Sequence, residues 1–321
     1  MPTVTFEDVQ NARARIAGRL SVTPLDYSTK LSLEGTQVYY KLECQQKLKS
    51  FKCRGALSKV ASLTPQQRAK GVLAVSSGNH GAGVALAARL EGVAAVQVYV
   101  PTTTPLAKTD KIEQNGAQVV RAGDSYDECH SIAMEALAQS DCTFVDPCSD
   151  REVIAGQGTI GLEILEQNPQ IDTILVPIGG GGIISGISVA AKKLKPGIRV
   201  IGVQTAACPA MVAALRDKVC YLEYPCQDSV CDALLGGVGE IPYEMAGQCI
   251  DDIIVVQEEE IKRAAAFLLA EEKIVAECAG AVGVAAFLQS PQRFAGQQVA
   301  IVITGGNLDK GLMTQLLTDY T

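Results

Sequence analysis

One lysine, in the stretch Ser50-Phe51-Lys52-Cys53-Arg54-Gly55-Ala56, is the first candidate for chemistry. A primary amine forms a Schiff base with an aldehyde, and burial favours the neutral, nucleophilic amine by lowering its pKa. An aromatic residue precedes Lys52 and small residues follow it, a context typical of a cofactor anchor. The alternative is a solvated lysine at the start of the following helix. The assignment of Lys52 therefore depends on what the fold places beside it.

A loop rich in hydrogen-bonding groups, Ser76-Ser77-Gly78-Asn79-His80-Gly81, follows a predicted strand at 72–75 and opens a helix. At a helix N-terminus, free backbone N–H groups and the positive end of the dipole attract an anion. We therefore expect the loop to receive a substrate carboxylate. The candidate contacts are Ser76, Ser77, Asn79 and His80. Ordinary N-capping by serine or asparagine is the alternative, with His80 as a structural histidine.

Four consecutive glycines follow the predicted strand at 173–176 and run into another helix. They are Gly179, Gly180, Gly181 and Gly182. A backbone without side chains can wrap an anion closely and point several N–H groups at one phosphate. The loop lacks both the Gly-Lys-Ser/Thr of a Walker motif and the Gly-x-Gly-x-x-Gly spacing of dinucleotide sites. It therefore predicts a site for a single phosphate, and a merely flexible loop is the alternative.

A hydroxyl stands at a further strand end, where the predicted strand at 299–303 runs into Thr304-Gly305-Gly306-Asn307. A hydroxyl both donates and accepts hydrogen bonds, so Thr304 is suited to a ring nitrogen. Taken alone, this motif is not specific for any ligand.

The composition favours a protein that acts on small molecules. The chain has 321 residues, enough for a large core and two lobes, and a net charge of -7 without a basic block. That charge argues against nucleic acid or an anionic membrane as a partner. The N-terminal residues lack the features of an export signal, and no apolar run approaches a membrane span. We therefore expect a cytoplasmic protein that binds neither nucleic acid nor a membrane.

Cysteine and histidine usage argues against disulfides and transition metals. The eleven cysteines are odd in number and irregularly spaced, and no Cys-x-x-Cys pair occurs, so reduced thiols are expected. The two histidines, His80 and His130, cannot build a multi-histidine zinc site. We therefore predict no metal site.

Short β-branched runs alternate with helical patterns along most of the chain, which predicts a parallel sheet with helices on both faces. The expected strands are 72–75, 95–100, 117–120, 143–145, 173–176, 200–203, 253–256 and 299–303. The clearest helical patterns are 81–90, 125–138, 153–167, 183–194 and 258–271. Crossings near Thr64-Pro65 and Asp146-Pro147 would enclose a small inserted lobe. Because ligands of such sheets bind beyond the carboxyl ends of strands, the three loops above are where chemistry is expected.

In this order and at these separations, the four motifs resemble the fold-type II pyridoxal-phosphate enzymes, specifically the serine/threonine dehydratase and serine racemase group. The resemblance covers nearly the whole chain. Its further motifs are Thr23-Pro24-Leu25, Ile154-Ala155-Gly156-Gln157-Gly158-Thr159 and Glu277-Cys278-Ala279-Gly280-Ala281. It implies a two-lobed α/β fold like the tryptophan synthase β chain, pyridoxal 5'-phosphate as the cofactor, and a homodimer. It also implies a large cofactor-binding domain at 1–63 and 148–321 and a small mobile domain at 64–147.

The resemblance gives each candidate residue a role. Lys52 would carry the cofactor and remove the α-proton, while Phe51 would pack beside the ring. Asn79 would bond the ring hydroxyl, and Thr304 would meet the ring nitrogen. The phosphate would be held by Gly179, Gly180, Gly181 and Gly182. The substrate carboxylate would lie at Ser76, Ser77, Asn79 and His80, and Ser77 stands where the racemases place a second acid or base.

The implied reaction is dehydration and deamination of a serine- or threonine-type β-hydroxy amino acid to a 2-keto acid and ammonia. An amino-acid racemase that uses Lys52 and Ser77 on opposite faces is the alternative. Two further alternatives are a hydroxyaspartate dehydratase and a non-catalytic binding protein on the same scaffold. Retention of Lys52, Asn79 and Thr304 argues against the last.

Several residues depart from the family pattern. Gln204 and Ala210 stand where the cation-dependent racemases supply carboxylate ligands, so the resemblance does not imply their metal site. Cys129 stands near the place where relatives with dicarboxylic substrates offer an arginine, which disfavours hydroxyaspartate. Leu48-Lys49 replaces a Thr-Gly pair before the lysine motif, so the approach to the cofactor is expected to differ.

Overall fold

Two separate sheets organise the computed structural model, which describes residues 4–320 apart from the side chain of residue 107. The first sheet has the order β1-β2-β10-β7-β8-β9, and all of its neighbours are parallel except β1 and β2. Its strands are β1 Leu25–Tyr27, β2 Gln37–Leu42, β7 Thr173–Pro177, β8 Arg199–Thr205, β9 Asp252–Val256 and β10 Gln298–Ile303. The second sheet has the order β5-β4-β3-β6 and is wholly parallel. Its strands are β3 Val72–Val75, β4 Val96–Val100, β5 Gln118–Arg121 and β6 Thr143–Phe144.

Helices cover the sheets. In chain order they are α1 Phe6–Ile16, α2 Lys52–Ser62, α3 Pro65–Lys70, α4 Asn79–Glu91, α5 Leu106–Glu113, α6 Tyr126–Ala138, α7 Arg151–Gln167, α8 Gly182–Leu194, α9 Ala210–Asp217, α10 Glu240–Cys249, α11 Glu258–Ala270, α12 Cys278–Gln289 and α13 Lys310–Tyr320. Short 3-10 turns lie at Glu43–Gln45, Lys47–Lys49, Asp232–Leu234 and Pro291–Phe294. The predicted α/β class, with parallel-rich sheets flanked by helices, is confirmed.

The eight predicted strands are all present with ends within two residues of the prediction. Strand β7 is buried along its whole length, and β10 is buried from Val299 onward, because helices cover both faces of the parallel sheet. Such strands are nearly continuous apolar runs, which is why they were visible in the sequence.

The N-terminus of α7 shows how local chemistry sets an element boundary. Asp150 accepts hydrogen bonds from the backbone N–H groups of Glu152 and Val153, so it caps the helix one residue before Arg151. The helix therefore begins directly after the loop 146–149 that lies over Lys52.

The second sheet and helices α4 to α6 fall within the predicted small domain, 64–147. The first sheet draws its strands from both segments of the predicted large domain. The outermost residues of that prediction, 1–3 and 321, lie outside the described residues. The division into domains and the mobility of the smaller one stay predictions.

One cysteine pair departs from the expectation of reduced thiols. Cys208 and Cys226 are paired as a disulfide, whereas the other nine cysteines are free. No sequence pattern indicated the pair, because its members lie 18 positions apart and only the fold brings them together. Within residues 4–320 there is no group of three or more metal-ligating side chains, and no helix there is long and apolar enough to cross a membrane.

Candidate active site

Lys52 is the first residue of α2, and its side chain is half-buried. Nζ donates a hydrogen bond to the backbone oxygen of Pro147 at 3.1 Å and lies 5.2 Å from the centre of the Phe51 ring. Burial lowers the pKa of Lys52, and the negative charges of Asp146 and Glu277 only partly oppose that effect. The amine is therefore closer to its nucleophilic form than a solvated lysine would be.

The end of β10 lies against the lysine motif. The backbone N–H of Phe51 donates to the oxygen of Thr304 at 3.1 Å, and the N–H of Gly306 donates to the oxygen of Lys49 at 2.9 Å. These two bonds fix Thr304, which is 4% exposed, next to the start of α2. Thr304 and Lys52 therefore lie at one site, although 252 positions in the chain separate them (304 − 52).

The four glycines form a tightly packed turn at the N-terminus of α8. Gly181 has φ +92°, a left-handed conformation that strains other residues. A Cβ added to Gly180 would lie 2.4 Å from Cys148 Sγ, and one added to Gly181 would lie 2.7 Å from Pro242 Cβ. The packing argues against a merely flexible loop, and a backbone turn at a helix N-terminus fits a phosphate.

Alanine in place of Gly180 should weaken the binding of pyridoxal phosphate about tenfold or more, because overpacking of this kind costs about 1–3 kcal/mol. A titration of the apoprotein with the cofactor measures the change. Gly247→Ala is the matched control, since a Cβ there meets nothing within 4 Å and the backbone needs no positive φ. Equal cofactor affinity in both variants would show that the glycine turn does not hold the phosphate.

The loop after β3 leaves the N-terminus of α4 without a side-chain cap. Gly78 is the N-cap residue, and no side chain of the described residues bonds the first turn. The Ser76 hydroxyl instead accepts from the backbone N–H of Gly78 at 3.2 Å, within its own turn. Ordinary N-capping by serine or asparagine is therefore wrong, and the free N–H groups can receive a carboxylate.

Two side chains from outside residues 64–147, those of Glu277 and Asn307, hold Asn79. Its Nδ2 donates to the two carboxylate oxygens of Glu277 at 3.0 and 3.2 Å, and its Oδ1 accepts from Asn307 Nδ2 at 2.7 Å. Burial raises the pKa of Glu277 to about 7, although the Asn79 donor opposes the effect. The sequence motifs contained Glu277 and Asn307 without assigning either a role. A glutamate directly before an apolar, small-residue helix was the available signal.

His80 is 3% exposed, and its Nε2 lies 2.8 Å from the backbone oxygen of Val145. Burial and the nearby charge of Lys52 lower the pKa of His80 to about 4, so the ring is neutral near pH 7. A carbonyl only accepts, so Nε2 carries the proton and Nδ1 carries a lone pair. A lone pair repels a carboxylate, and the arrangement therefore favours the structural role over the predicted substrate contact.

Phe51 contacts another predicted site residue, whereas among the described residues Ser77 does not. The Phe51 ring lies 5.2 Å from Lys52 Nζ, and its packing beside the cofactor ring stays a prediction. Ser77 is half-buried at the end of β3, but no hydrogen bond joins it to another predicted site residue within the described chain. The geometry gathers Lys52, Phe51, Thr304, the glycines and Asn79 and leaves the role of Ser77 as a prediction.

Two of the departures from the family pattern have structural explanations. Gln204 is fully buried, and its amide bonds the backbone of Cys208 and Val212, so it stabilises its own loop. Cys129 is buried in an apolar cluster with Leu73 and Val75. It cannot contact a substrate in this arrangement, and the argument against hydroxyaspartate that used Cys129 has no structural support.

The gathered groups match the chemistry of a phosphorylated aldehyde with an aromatic ring. The site offers an amine of lowered pKa, a ring side chain, a glycine turn at one helix N-terminus and a hydroxyl at the end of β10. A second uncapped N-terminus, that of α4, is free for a carboxylate. The residues present therefore fit pyridoxal phosphate and an amino acid.

Comparison with known proteins identifies the family. A model described as pyridoxal-phosphate dependent enzyme matches residues 16–305. The L-threonine ammonia-lyase of Thermotoga maritima is 42% identical over 317 residues, which cover 98% of this chain and 78% of that protein. A serine racemase of Oryza sativa subsp. indica is 35% identical over 319 residues, covering 97% and 93% of the two chains. The solved structure of maize serine racemase has a TM-score of 0.91 at 32% identity and covers 98% of this chain and 97% of that one. The resemblance seen in the motifs is confirmed, and the chain belongs to the pyridoxal-phosphate dependent enzymes.

Proposed function

We propose that the protein is a lyase that dehydrates and deaminates a serine- or threonine-type β-hydroxy amino acid, giving a 2-keto acid and ammonia. The observation that carries the proposal is the amine of Lys52, whose pKa burial lowers, in a site to which Thr304, the glycine turn and the uncapped N-terminus of α4 also belong. The similarity to an L-threonine ammonia-lyase over nearly the whole chain supports this reaction.

Each part of the site has one task in this proposal. Lys52 holds the cofactor and, once released by the substrate amine, accepts the α-proton at Nζ, for which a lowered pKa is suited. The glycine turn holds the phosphate, and the uncapped N-terminus of α4 holds the substrate carboxylate. The cofactor supplies an electron sink for the α-carbon. Thr304 would meet the ring nitrogen with a neutral hydroxyl, which would weaken that sink and disfavour transamination relative to β-elimination.

We also propose that residues 64–147 form a small mobile domain and that the protein is a cytoplasmic homodimer. The separate second sheet, confined to residues 72–144, supports the domain. Nine free cysteines fit a reducing compartment. The homodimer is carried over from the family resemblance.

Turnover of both enantiomers of serine, threonine and 3-hydroxyaspartate tests the reaction. Keto acid and enantiomeric composition should be followed together in each incubation. We expect keto acid and an equal amount of ammonia from an L-β-hydroxy amino acid. A racemate formed without keto acid would instead establish the racemase, which the similarity to serine racemases favours as the second candidate.

Ser77→Ala separates these two activities. If Ser77 is the acid or base on the face opposite Lys52, the variant should lose inversion and D-substrate turnover about a hundredfold while L-elimination changes much less. Ser140→Ala is the control, because the Ser140 hydroxyl donates to the Leu137 backbone oxygen within its own turn and has no predicted role at the site. An equal loss of both activities in Ser77→Ala would mean that Ser77 only shapes the carboxylate site.

A further inference from the structure

Helix α5 lies within residues 64–147, and two of its lysines contact residues outside that range. Lys108 Nζ lies 2.9 Å from Asp232 Oδ2, and Lys111 Nζ lies 2.9 Å from Asn307 Oδ1. The two lysines are one helical turn apart, and both are exposed. Only the second contact continues toward the site, because Asn307 bonds Asn79.

Both hydrogens and the oxygen of the Asn307 amide form hydrogen bonds. Nδ2 has two hydrogens, which it donates to the backbone oxygen of Leu48 at 2.8 Å and to Asn79 Oδ1 at 2.7 Å. Oδ1 accepts from Lys111. If the amide turned over, its oxygen would face two other acceptors and its NH₂ would face an ammonium that can only donate. Lys111 therefore helps to hold Asn307 in one of its two orientations.

Asn307 in turn fixes Asn79. Because Asn79 Oδ1 accepts from Asn307, its Nδ2 must point away, toward the carboxylate of Glu277 and the site. One hydrogen of this NH₂ suffices for the carboxylate, whose two oxygens lie at 3.0 and 3.2 Å, and the other remains for a ligand. The orientation of Asn79 thus depends on a chain of contacts that begins at Lys111.

The charge of Lys111 also acts on Glu277, the acceptor of the Asn79 amide. Lys111 and the Asn79 donor favour its carboxylate form, whereas burial and the charge of Asp232 oppose it, and Lys52 faces it from α2. A carboxylate is an acceptor only, so it keeps Asn79 Nδ2 as the donor.

We propose that Lys111 is a positioning residue of the active site, acting through Asn307 to set the orientation of the Asn79 amide toward the cofactor. The role rests on the proposed function and on the predicted contact of Asn79 with the ring hydroxyl of the cofactor. Lys111 itself touches neither cofactor nor substrate. Lys108, on the same helix, pairs with exposed Asp232 and makes no hydrogen bond to Asn307 or Asn79 within the described residues.

The test compares Lys111→Met, Lys111→Arg and Lys108→Met. Pyridoxal phosphate affinity and the absorption spectrum of the bound cofactor should be measured first, then kcat and KM. We expect Lys111→Met to raise the Kd of the cofactor about three- to tenfold, the range for the net contribution of one hydrogen bond, because the ammonium of Lys111 is exposed. Lys111→Arg keeps a donor and a charge and should restore the wild-type value. Lys108→Met should stay within about twofold of it, as expected for an exposed pair.

A double-variant cycle adds a readout that a merely structural role would not give. In an Asn307→Ala background, Lys111→Met should change cofactor affinity much less than in the wild type, because the contact through Asn307 is gone and only the charge effect on Glu277 remains. Wild-type affinity and spectrum in Lys111→Met would overturn the proposal, as would an equal loss in Lys108→Met. A wild-type protein that binds the cofactor but turns over no β-hydroxy amino acid would refute the proposed reaction. The cofactor affinities of the Lys111 and Lys108 variants would still test the role of Lys111. A wild-type protein that binds no cofactor would overturn both.

Discussion

Lys52→Ala should lower kcat for the β-hydroxy amino acid by about a thousandfold or more, because the variant lacks both the cofactor anchor and the group that moves the α-proton. Burial lowers the pKa of this amine, and no other lysine is predicted to lie in the site. Keto acid formation at saturating pyridoxal phosphate measures the loss. A small primary amine added to the solution should restore part of the activity by replacing the missing Nζ.

Lys47→Ala is the matched control for this experiment. Lys47 lies five positions earlier (52 − 47) and is exposed, so its side chain should change kcat by less than about twofold. If Lys52→Ala kept a tenth or more of the wild-type activity, Lys52 would not be the reacting amine.

Arg54→Met should lower the free energy of unfolding by about 3–5 kcal/mol, the cost of leaving buried charges without their partner. Arg54 is fully buried, and its guanidinium pairs both oxygens of Glu43 and both oxygens of Glu163 at 2.6 to 2.8 Å. Lys41 Nζ lies 2.6 Å from Glu163 Oε2 and is buried as well. Two cations and two anions therefore cancel, and methionine would leave two carboxylates with one lysine.

Chemical denaturation of the apoprotein measures this loss. The control is Arg13→Met, because Arg13 pairs with Glu166 while each side chain keeps about half of its surface exposed. An exposed pair of this kind contributes about 0–1 kcal/mol. A loss in Arg54→Met no larger than in the control would mean that the buried network is not needed for the stability of the fold beneath Lys52.

The pH dependence of the network has a definite sign. Burial raises the pKa of Glu163, but Arg54 and Lys41 bring it below the usual value for a glutamate. A carboxyl group with a lowered pKa in the folded state stabilises the protein above its unfolded pKa, and that stabilisation is lost as the pH falls. The free energy of unfolding of the wild type should therefore fall as acid protonates Glu163.

The strands predicted from the sequence are mostly apolar, without a buried charge. Strands β3, β4, β7 and β10 are short β-branched runs, and the sequence pattern predicted their bounds to within one residue. The pair β1 and β2 was not predicted. Strand β1 has only three residues, none of them buried, and β2 contains the buried charge of Lys41. A lysine in a strand core becomes understandable only when Glu163, 122 positions away, is seen beside it.

In the site, too, the residues that the sequence could not predict are those whose roles depend on distant partners. Lys52, the four glycines and Thr304 were predicted because each stands in a short motif whose residue types suggest a role. Glu277 and Asn307 acquire their roles from Asn79, which lies 198 and 228 positions away in the chain, and no local pattern reports such a contact. Burial and the neutral ring favour a structural role for His80, and burial is a property of the fold rather than of the motif.

Borohydride reduction of the holoprotein, followed by peptide mapping, tests most directly that Lys52 carries the cofactor. Reduction fixes a cofactor bound through an amine, and the mass of the labelled peptide identifies the lysine. We predict one label per chain, on Lys52, with loss of absorbance from the bound cofactor, and no label in Lys52→Ala. A label on another lysine, or a wild-type protein that retains no cofactor after reduction, would contradict the account.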